Sequence, residues 1–452
     1  MSPSTPPRPP PRLDRSSSRS PVVLETVGPV PSPEPTPRSP AVFSSLSVRN
    51  FRLFVMGQLV SVMCTWIMIV AQDWLVLSLT GDSGTALGLV TVAQFTPTLL
   101  LTLYGGRLAD RYDKRRLLVM ANLAAGAVSL LLALAVLSGR AGLGVILVAA
   151  AALGAVAAVE MPTRMSFVGE LVGSDLLPNA SALSAAYFNA ARIIGPALAG
   201  LLISGTGSTG TVMLLNAFSY LATVAALLMM RPEELHRSPV PRQDDRITDA
   251  LRHVTSRPDL VMPLALAAVV GLFGFNFPLT LPLMAKTVFH TGAASFGLLT
   301  TAVAIGSLFS AISSTARRGR PRAAVVTGSA LAFGVFETAA GLAPSFPAAV
   351  VLLAATGFAS VSFAQTANHR IQLGSDPAFR GRVMALYTLI LQGTTPLGAL
   401  IIGQLCEHFG ARSGLYAGGL VTMVAAAVAL WAQRRTREET ASRSPQYVEA
   451  TE

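Results

Sequence analysis

The chain of 452 residues is poor in charge: Asp, Glu, Lys and Arg make up only 13% of it, about half the share usual in a soluble globular domain. That deficit excludes a protein whose whole surface faces water. Lysine is nearly missing, with Lys114 and Lys286 alone against 32 arginines, a bias that fits a GC-rich bacterial genome. The two cysteines, Cys64 and Cys406, sit in apolar runs without metal-ligand spacing, so each reads as a small buried packing residue. The five histidines (His236, His253, His290, His369, His408) lie in loops or near the ends of apolar runs, and no metal site or acid–base catalysis is expected of them. No Gly-Lys-Ser/Thr loop is present to cradle a nucleotide phosphate, which argues against ATP hydrolysis. No nucleophile with its base is placed within the apolar runs. The expectation is a protein that is not an enzyme and carries no cofactor. Short alternating segments of the transmembrane β-barrel type are also missing.

What the sequence does have is long apolar blocks, such as Leu117–Leu137 and Val261–Phe277, within a composition that is 52% hydrophobic. Blocks of about 20 apolar residues match the length a helix needs to cross a hydrocarbon core of about 30 Å. Backbone groups in lipid must be satisfied within the segment, so the blocks should be helices. The pattern predicts an all-α polytopic membrane protein. Twelve spans are expected, at about 51–79, 85–106, 117–138, 142–161, 180–204, 211–230, 260–285, 293–315, 323–343, 347–367, 382–405 and 413–433.

The flanks and the middle read differently. Residues 1–46 hold 13 prolines, with Ser and Arg filling much of the rest. They are expected to be a disordered cytoplasmic tail, and they lack the apolar core of a signal peptide. The polar stretch 231–258 reads as a cytoplasmic linker between a six-helix bundle at 47–230 and a second at 259–435, and 436–452 reads as a second cytoplasmic tail. The net charge of +11 does not point to nucleic acid, because the basic residues sit between apolar blocks. With both termini inside, 30 of the 34 basic residues fall on the cytoplasmic side, leaving Arg140, Lys286 and Arg412 outside and Arg192 within a span. This is the alternation the positive-inside rule requires. The expected partners are the lipid bilayer and a small-molecule substrate, for a monomer in the bacterial inner membrane.

The two halves echo each other. Leu87-Gly88-Leu89-Val90-Thr91 opens span 2 and Phe296-Gly297-Leu298-Leu299-Thr300 opens span 8; Pro196 lies in span 5 and Pro396 in span 11; Arg164 follows span 4 and Arg370 follows span 10. The offsets are 209, 200 and 206 residues, consistent with a duplicated six-helix unit, an architecture that secondary transporters use for alternating access.

Several residues are candidates for function. The loop after span 2 reads Gly105-Gly106-Arg107-Leu108-Ala109-Asp110-Arg111-Tyr112-Asp113-Lys114-Arg115-Arg116. Gly106, lacking a Cβ, allows close helix approach; Asp110 can accept from a helix N-terminus; Arg111, Lys114 and Arg115 can bridge to carboxylates of the other half. Arg192, Gly195, Pro196 and Gly200 in span 5 predict a kink and a close packing face. Charges within spans are functional hypotheses by default. Asp73 in span 1 and Glu337 in span 9 are the candidate proton carriers, with Glu160 behind them. Low dielectric disfavours the ionised form of a carboxyl, as a proton carrier working near neutral pH requires. Glu160 and Arg164 stand at i and i+4, where a local salt bridge is the simpler reading.

The 105–116 loop resembles the signature loop of the major facilitator superfamily, with Asp113 in place of the usual second glycine. The segments Asn50-Phe51-Arg52, Gln58-Leu59-Val60-Ser61, Ala71-Gln72-Asp73-Trp74, Leu79-Thr80-Gly81, Glu160-Met161-Pro162-Thr163-Arg164 and Arg380-Gly381-Arg382-Val383-Met384 are similar to its twelve-span enterobactin-exporter and macrolide-efflux branch. The resemblance covers about residues 48–433. It implies proton-driven export of small amphipathic molecules, with the proton gradient as energy source. It also implies a role for the signature loop as a cytoplasmic latch, and a central cavity lined by span 1, which favours Asp73 over Glu337 as carrier. The alternatives are an importer or uniporter of the same fold, or a receptor or scaffold that has lost transport.

Overall fold

The computed structural model describes residues 43–236, 252–255, 257–314, 319–377 and 379–443. Among these residues all regular structure is helical, and eleven helices are long and apolar enough to cross a membrane. The fourth, Leu143–Thr206, has 64 residues, about 96 Å at 1.5 Å per residue and three times what a bilayer core needs. It breaks at Gly173, where φ 72° and ψ 179° leave the helical region. Only glycine takes up that conformation without strain. Counting the arms 143–172 and 174–206 as spans 4 and 5 gives twelve crossings, and the same numbering is used below. The expected loop at 162–179 is mostly helix instead, with Pro162 and Pro178 inside it.

The helix ends follow local chemistry. Ser83, Asp113 and Ser208 each accept the backbone N–H three residues on, capping spans 2, 3 and 6. Asp113, which departs from the family's glycine, therefore has a capping role. Gly81 and Gly207, both with φ near 65°, end spans 1 and 5. Span 7 differs from the continuous helix expected. It runs as Pro258–Val269, a π-turn at Val270–Gly274, a gap at 275–276, Phe277–Leu283 and a second π-turn at Met284–Val288. Span 11 is likewise interrupted between Arg380–Gly393 and Thr395–Phe409. The last helix, Arg412–Arg443, runs past the expected boundary at 435. Of the expected linker, residues 237–251 and 256 lie outside the described residues, as do 1–42 and 444–452 of the expected tails.

Packing repeats between the halves. Span 2 lies on span 4 and span 8 on span 10; span 2 also meets span 11, and span 5 meets span 8. The last two pairs join the halves through residues of the sequence repeat. A methyl placed on Gly88 would stand 2.6 Å from the Ala399 carbonyl oxygen, and one on Gly297 would collide with the Pro196 carbonyl. Backbone thus meets backbone at both equivalent places.

The apolar cores are distributed unequally along the molecule. At the end carrying Asp82, one continuous core takes residues from both halves, among them Val76, Leu87, Leu283, Phe296, Ile402 and Cys406. At the end carrying Asp110 there are two cores. One, with Phe51, Leu118, Phe167 and Leu227, belongs to the first half; the other, with Leu260, Phe333, Phe363 and Val383, belongs to the second. The halves are joined at the Asp82 end and separately packed at the Asp110 end.

Candidate functional site

Between the halves lies a cavity of about 310 Å³. Span 1 contributes Trp66, Ile69, Val70 and Asp73, whose i, i+3, i+4, i+7 spacing is one helix face. Arg192 enters from span 5. Phe275, Phe277 and Pro278 come from the break in span 7, Phe296 and Thr300 from span 8, and Ser360 from span 10. The break puts Phe275 and Phe277, only two residues apart, both against the cavity, a use of interrupted helices that suits a binding site in a membrane protein.

The cavity brings together two of the residues singled out in the sequence, from different groups. Asp73 is 9% exposed and its Oδ2 has no hydrogen-bond partner. Arg192 sits with its Cζ 5.9 Å from the Trp66 ring centroid, and Trp66 in turn meets Phe188 edge-on at 6.1 Å. Glu337 lies elsewhere. It is 1% exposed, its Oε2 is unpartnered, and it is wedged between Gly274 of span 7 and Gly418 of the last helix. Glu160 and Arg164 form an ion pair at 3.0 Å.

Span 5 has two packing faces where one was expected. Gly195 faces span 1, where an added methyl would stand 2.6 Å from the Trp66 Cβ. Gly200 faces span 8, with the Ala294 Cα 2.5 Å away by the same measure. The Thr301 hydroxyl donates to the Ile193 carbonyl at 3.0 Å, adding a polar tie between the same two spans.

At the Asp82 end, two polar contacts cross between the halves. Lys286 Nζ stands 2.5 Å from Asp82 Oδ1 and 5.6 Å from the Trp74 ring centroid. Glu407 accepts from the Ser83 hydroxyl at 2.8 Å and from the Thr85 N–H at 3.2 Å. Glu407 thereby places an anion at the N-terminus of span 2, where the helix dipole favours it. Asp82 has φ 68°, unusual for a non-glycine residue. These residues were not candidates in the sequence, although Lys286 stood out as a basic residue on the side that has few.

At the Asp110 end the signature loop is arranged otherwise than its spacing suggested. Gly106 has open space around it, and Gly105 makes the close approach, against the Ala158 carbonyl of span 4. Lys114 pairs with Glu170 of its own half at 2.5 Å. Arg115 donates to the Leu227 and Leu228 carbonyls at 2.6 and 3.0 Å, capping the C-terminus of span 6. Neither bridges to the second half. Asp110 and Arg111 are exposed, and Arg111 lies against Tyr112. Within the second half at the same end, Arg320 pairs with Asp259 at 2.6 Å and Arg257 with Asp376 at 3.1 Å.

A cavity between two helical units, shut at one end and divided at the other, defines a membrane transporter. The chain belongs to the transmembrane secretion effector family of the major facilitator superfamily, whose sequence pattern matches residues 40–451. It is 28% identical over 388 residues to the multidrug efflux pump Tap of Mycolicibacterium fortuitum, an overlap covering 83% of this chain and 94% of the pump. It is 26% identical over 365 residues to the enterobactin exporter EntS of Citrobacter koseri, covering 78% and 85%. The solved structure of a bacterial homologue of the human lysosomal transporter Spinster, inward-facing and occupied, aligns with a TM-score of 0.68 at 15% identity, covering 86% of this chain and 97% of that one. That likeness is one of fold.

Proposed function

We propose that the protein exports small amphipathic molecules across the bacterial inner membrane in exchange for protons, by rocking of its two six-helix halves, 47–230 and 259–435, about the central cavity. The observation that carries this reading is Asp73, nine-tenths buried and unpartnered in a largely apolar cavity. A carboxyl so placed is stable only when neutral or matched by a cation, so proton and substrate can alternate on it. The multidrug and siderophore relatives support export as the direction. The arginine distribution supports a cytoplasmic Asp110 end and an external Asp82 end. On that orientation the cavity opens inward here, with the external end shut. The monomer would work in lipid with no cofactor and no nucleic-acid partner, the proton gradient supplying the energy.

The arithmetic is favourable. One charge crossing 100 mV releases about 2.3 kcal/mol, enough for a roughly 50-fold substrate gradient. The test compares Asp73→Asn and Glu337→Gln in inverted vesicles. Asp73→Asn should abolish proton-driven accumulation and spare substrate exchange without a gradient, while Glu337→Gln keeps both. Accumulation retained in Asp73→Asn would remove Asp73 as carrier.

A further inference from the structure

Asp73 and Arg192 face one cavity, and no hydrogen bond or ion pair joins the side chain of either to any described residue. Asp73 Oδ2 is buried without a partner, and the recorded contact of the Arg192 guanidinium is the Trp66 ring at 5.9 Å. An ionisable carboxyl and a guanidinium, both without a side-chain partner in one largely apolar cavity, are costly to leave unmatched. The remaining wall is apolar, dominated by Trp66, Phe275, Phe277 and Phe296, with only Thr300 and Ser360 adding polar groups.

We propose that this cavity selects zwitterionic aromatic amphipaths, whose ammonium group meets Asp73 and whose carboxylate or enolate meets Arg192, with the ring system held against the aromatic wall. The proposal rests on the reading of the cavity as the substrate site. A neutral ligand leaves both protein charges unmatched, and a cation or an anion leaves one. A zwitterion leaves none, and its planar body suits edge and face contacts with the four rings. The volume of about 310 Å³ falls at the small end of ordinary ligand pockets, the size of a two- or three-ring molecule. The pairing also fits exchange. A proton reaching Asp73 takes the place of the ammonium N–H···O contact, so proton and ligand cannot hold that carboxylate together, while Arg192 keeps its charge throughout.

The test uses the full chain in lipid nanodiscs, without any gradient, and three probes of one skeleton: a quinolone carboxylic acid bearing a free piperazine (zwitterion), its methyl ester (cation) and its N-acetyl derivative (anion). Equilibrium dialysis should show the zwitterion binding at least about tenfold more tightly than either analogue, the factor expected for one hydrogen bond to a charged group. Arg192→Gln should bring the zwitterion down to the ester, and Asp73→Asn down to the N-acetyl compound. An ester or N-acetyl compound that binds wild type as tightly as the parent overturns the proposal, and so does a failure of all three to bind. The wild-type comparison needs no variant to fold. Charge-dependent binding without proton-driven uptake would sink the export reading and leave the ligand class standing; uptake without charge preference would do the reverse.

Discussion

The closed end can be loosened by a measured amount. Lys286→Gln removes the pair with Asp82 and the contact with Trp74. At 2.5 Å the bare attraction is roughly 7 kcal/mol at an effective dielectric of 20, but the side chains are 26% and 34% exposed, and pairs so wetted contribute about 1 kcal/mol or less. The cation–π contact adds about 0.5–1 kcal/mol. The closed end should therefore lose about 1–2 kcal/mol, which raises the share of molecules open there by roughly 5- to 30-fold. The chain carries its own reporter. Cys406 is 6% exposed, and its Cβ would stand 3.1 Å from a methyl placed on Gly84, in the contact between spans 2 and 11. In a Cys64→Ala background it is the sole thiol. Its labelling by a membrane-impermeant maleimide should accelerate by that same factor. Asp82→Asn, which breaks the ion pair but leaves the Trp74 contact, should give a somewhat smaller gain, and the double variant no more than Lys286→Gln alone, because the ion pair is shared. An unchanged labelling rate in Lys286→Gln, or a double variant equal to the product of the singles, would refute the gate.

Two further outcomes follow from the same geometry. Asp110→Asn touches a residue that is exposed in this state, so it should act on the alternative state: transport slows several-fold, Cys406 labelling falls, and insertion is unaffected. Unchanged transport together with unchanged labelling would remove the latch. Gly195→Leu forces a side chain into Trp66 and Met63 at a cost of about 1–3 kcal/mol, deforming the cavity wall; export should be lost in a protein that still inserts, and normal export by a stable variant would show that span 1 can yield.

The all-helical membrane fold, most of the apolar blocks and the duplication were legible in the sequence because each rests on a local property: apolar length, the placement of arginine, and the recurrence of Gly88 as Gly297. Positions decided by a partner far away in the chain were not. Gly105 and Gly106 are adjacent and alike in sequence, yet Gly105 alone meets Ala158, a choice set by the rotation of span 2 against span 4. Gly195 and Gly200 lie five residues apart, so they point to different neighbours, and no periodicity says which. The break in span 7 had a signal in Phe273-Gly274-Phe275-Asn276-Phe277-Pro278, where glycine, asparagine and proline fall within six residues. Apolar length masked it. Glu407 lies 324 residues from the serine whose hydroxyl it accepts, a separation that no local pattern bridges. Asp73 and Arg192 were each visible as charges inside spans, but their sharing of one cavity depends on how spans 1 and 5 pack.

The contacts at the two ends suit a machine that must turn over. Where spans 2 and 11 and spans 5 and 8 cross, glycines bring backbone against backbone, so few side chains need to change rotamer when the halves rock. That leaves the polar contacts to set the balance. The Asp82–Lys286 pair is partly exposed and the Glu407 cap is exposed, and each is worth about 1 kcal/mol or less. On the latch reading, the Asp110 loop would offer charges of similar worth to the opposite state. Opposing terms of this size would keep the two states of that cycle within a few kcal/mol of each other. One proton driven through 100 mV carries about 2.3 kcal/mol, comparable to that gap. A deeply buried ion-pair network at the closed end would have been harder to open, because breaking a buried pair costs about 3–5 kcal/mol, more than a single proton supplies at that voltage. On the proton-driven cycle proposed above, the modest, wetted character of these contacts would let a small driving force run it.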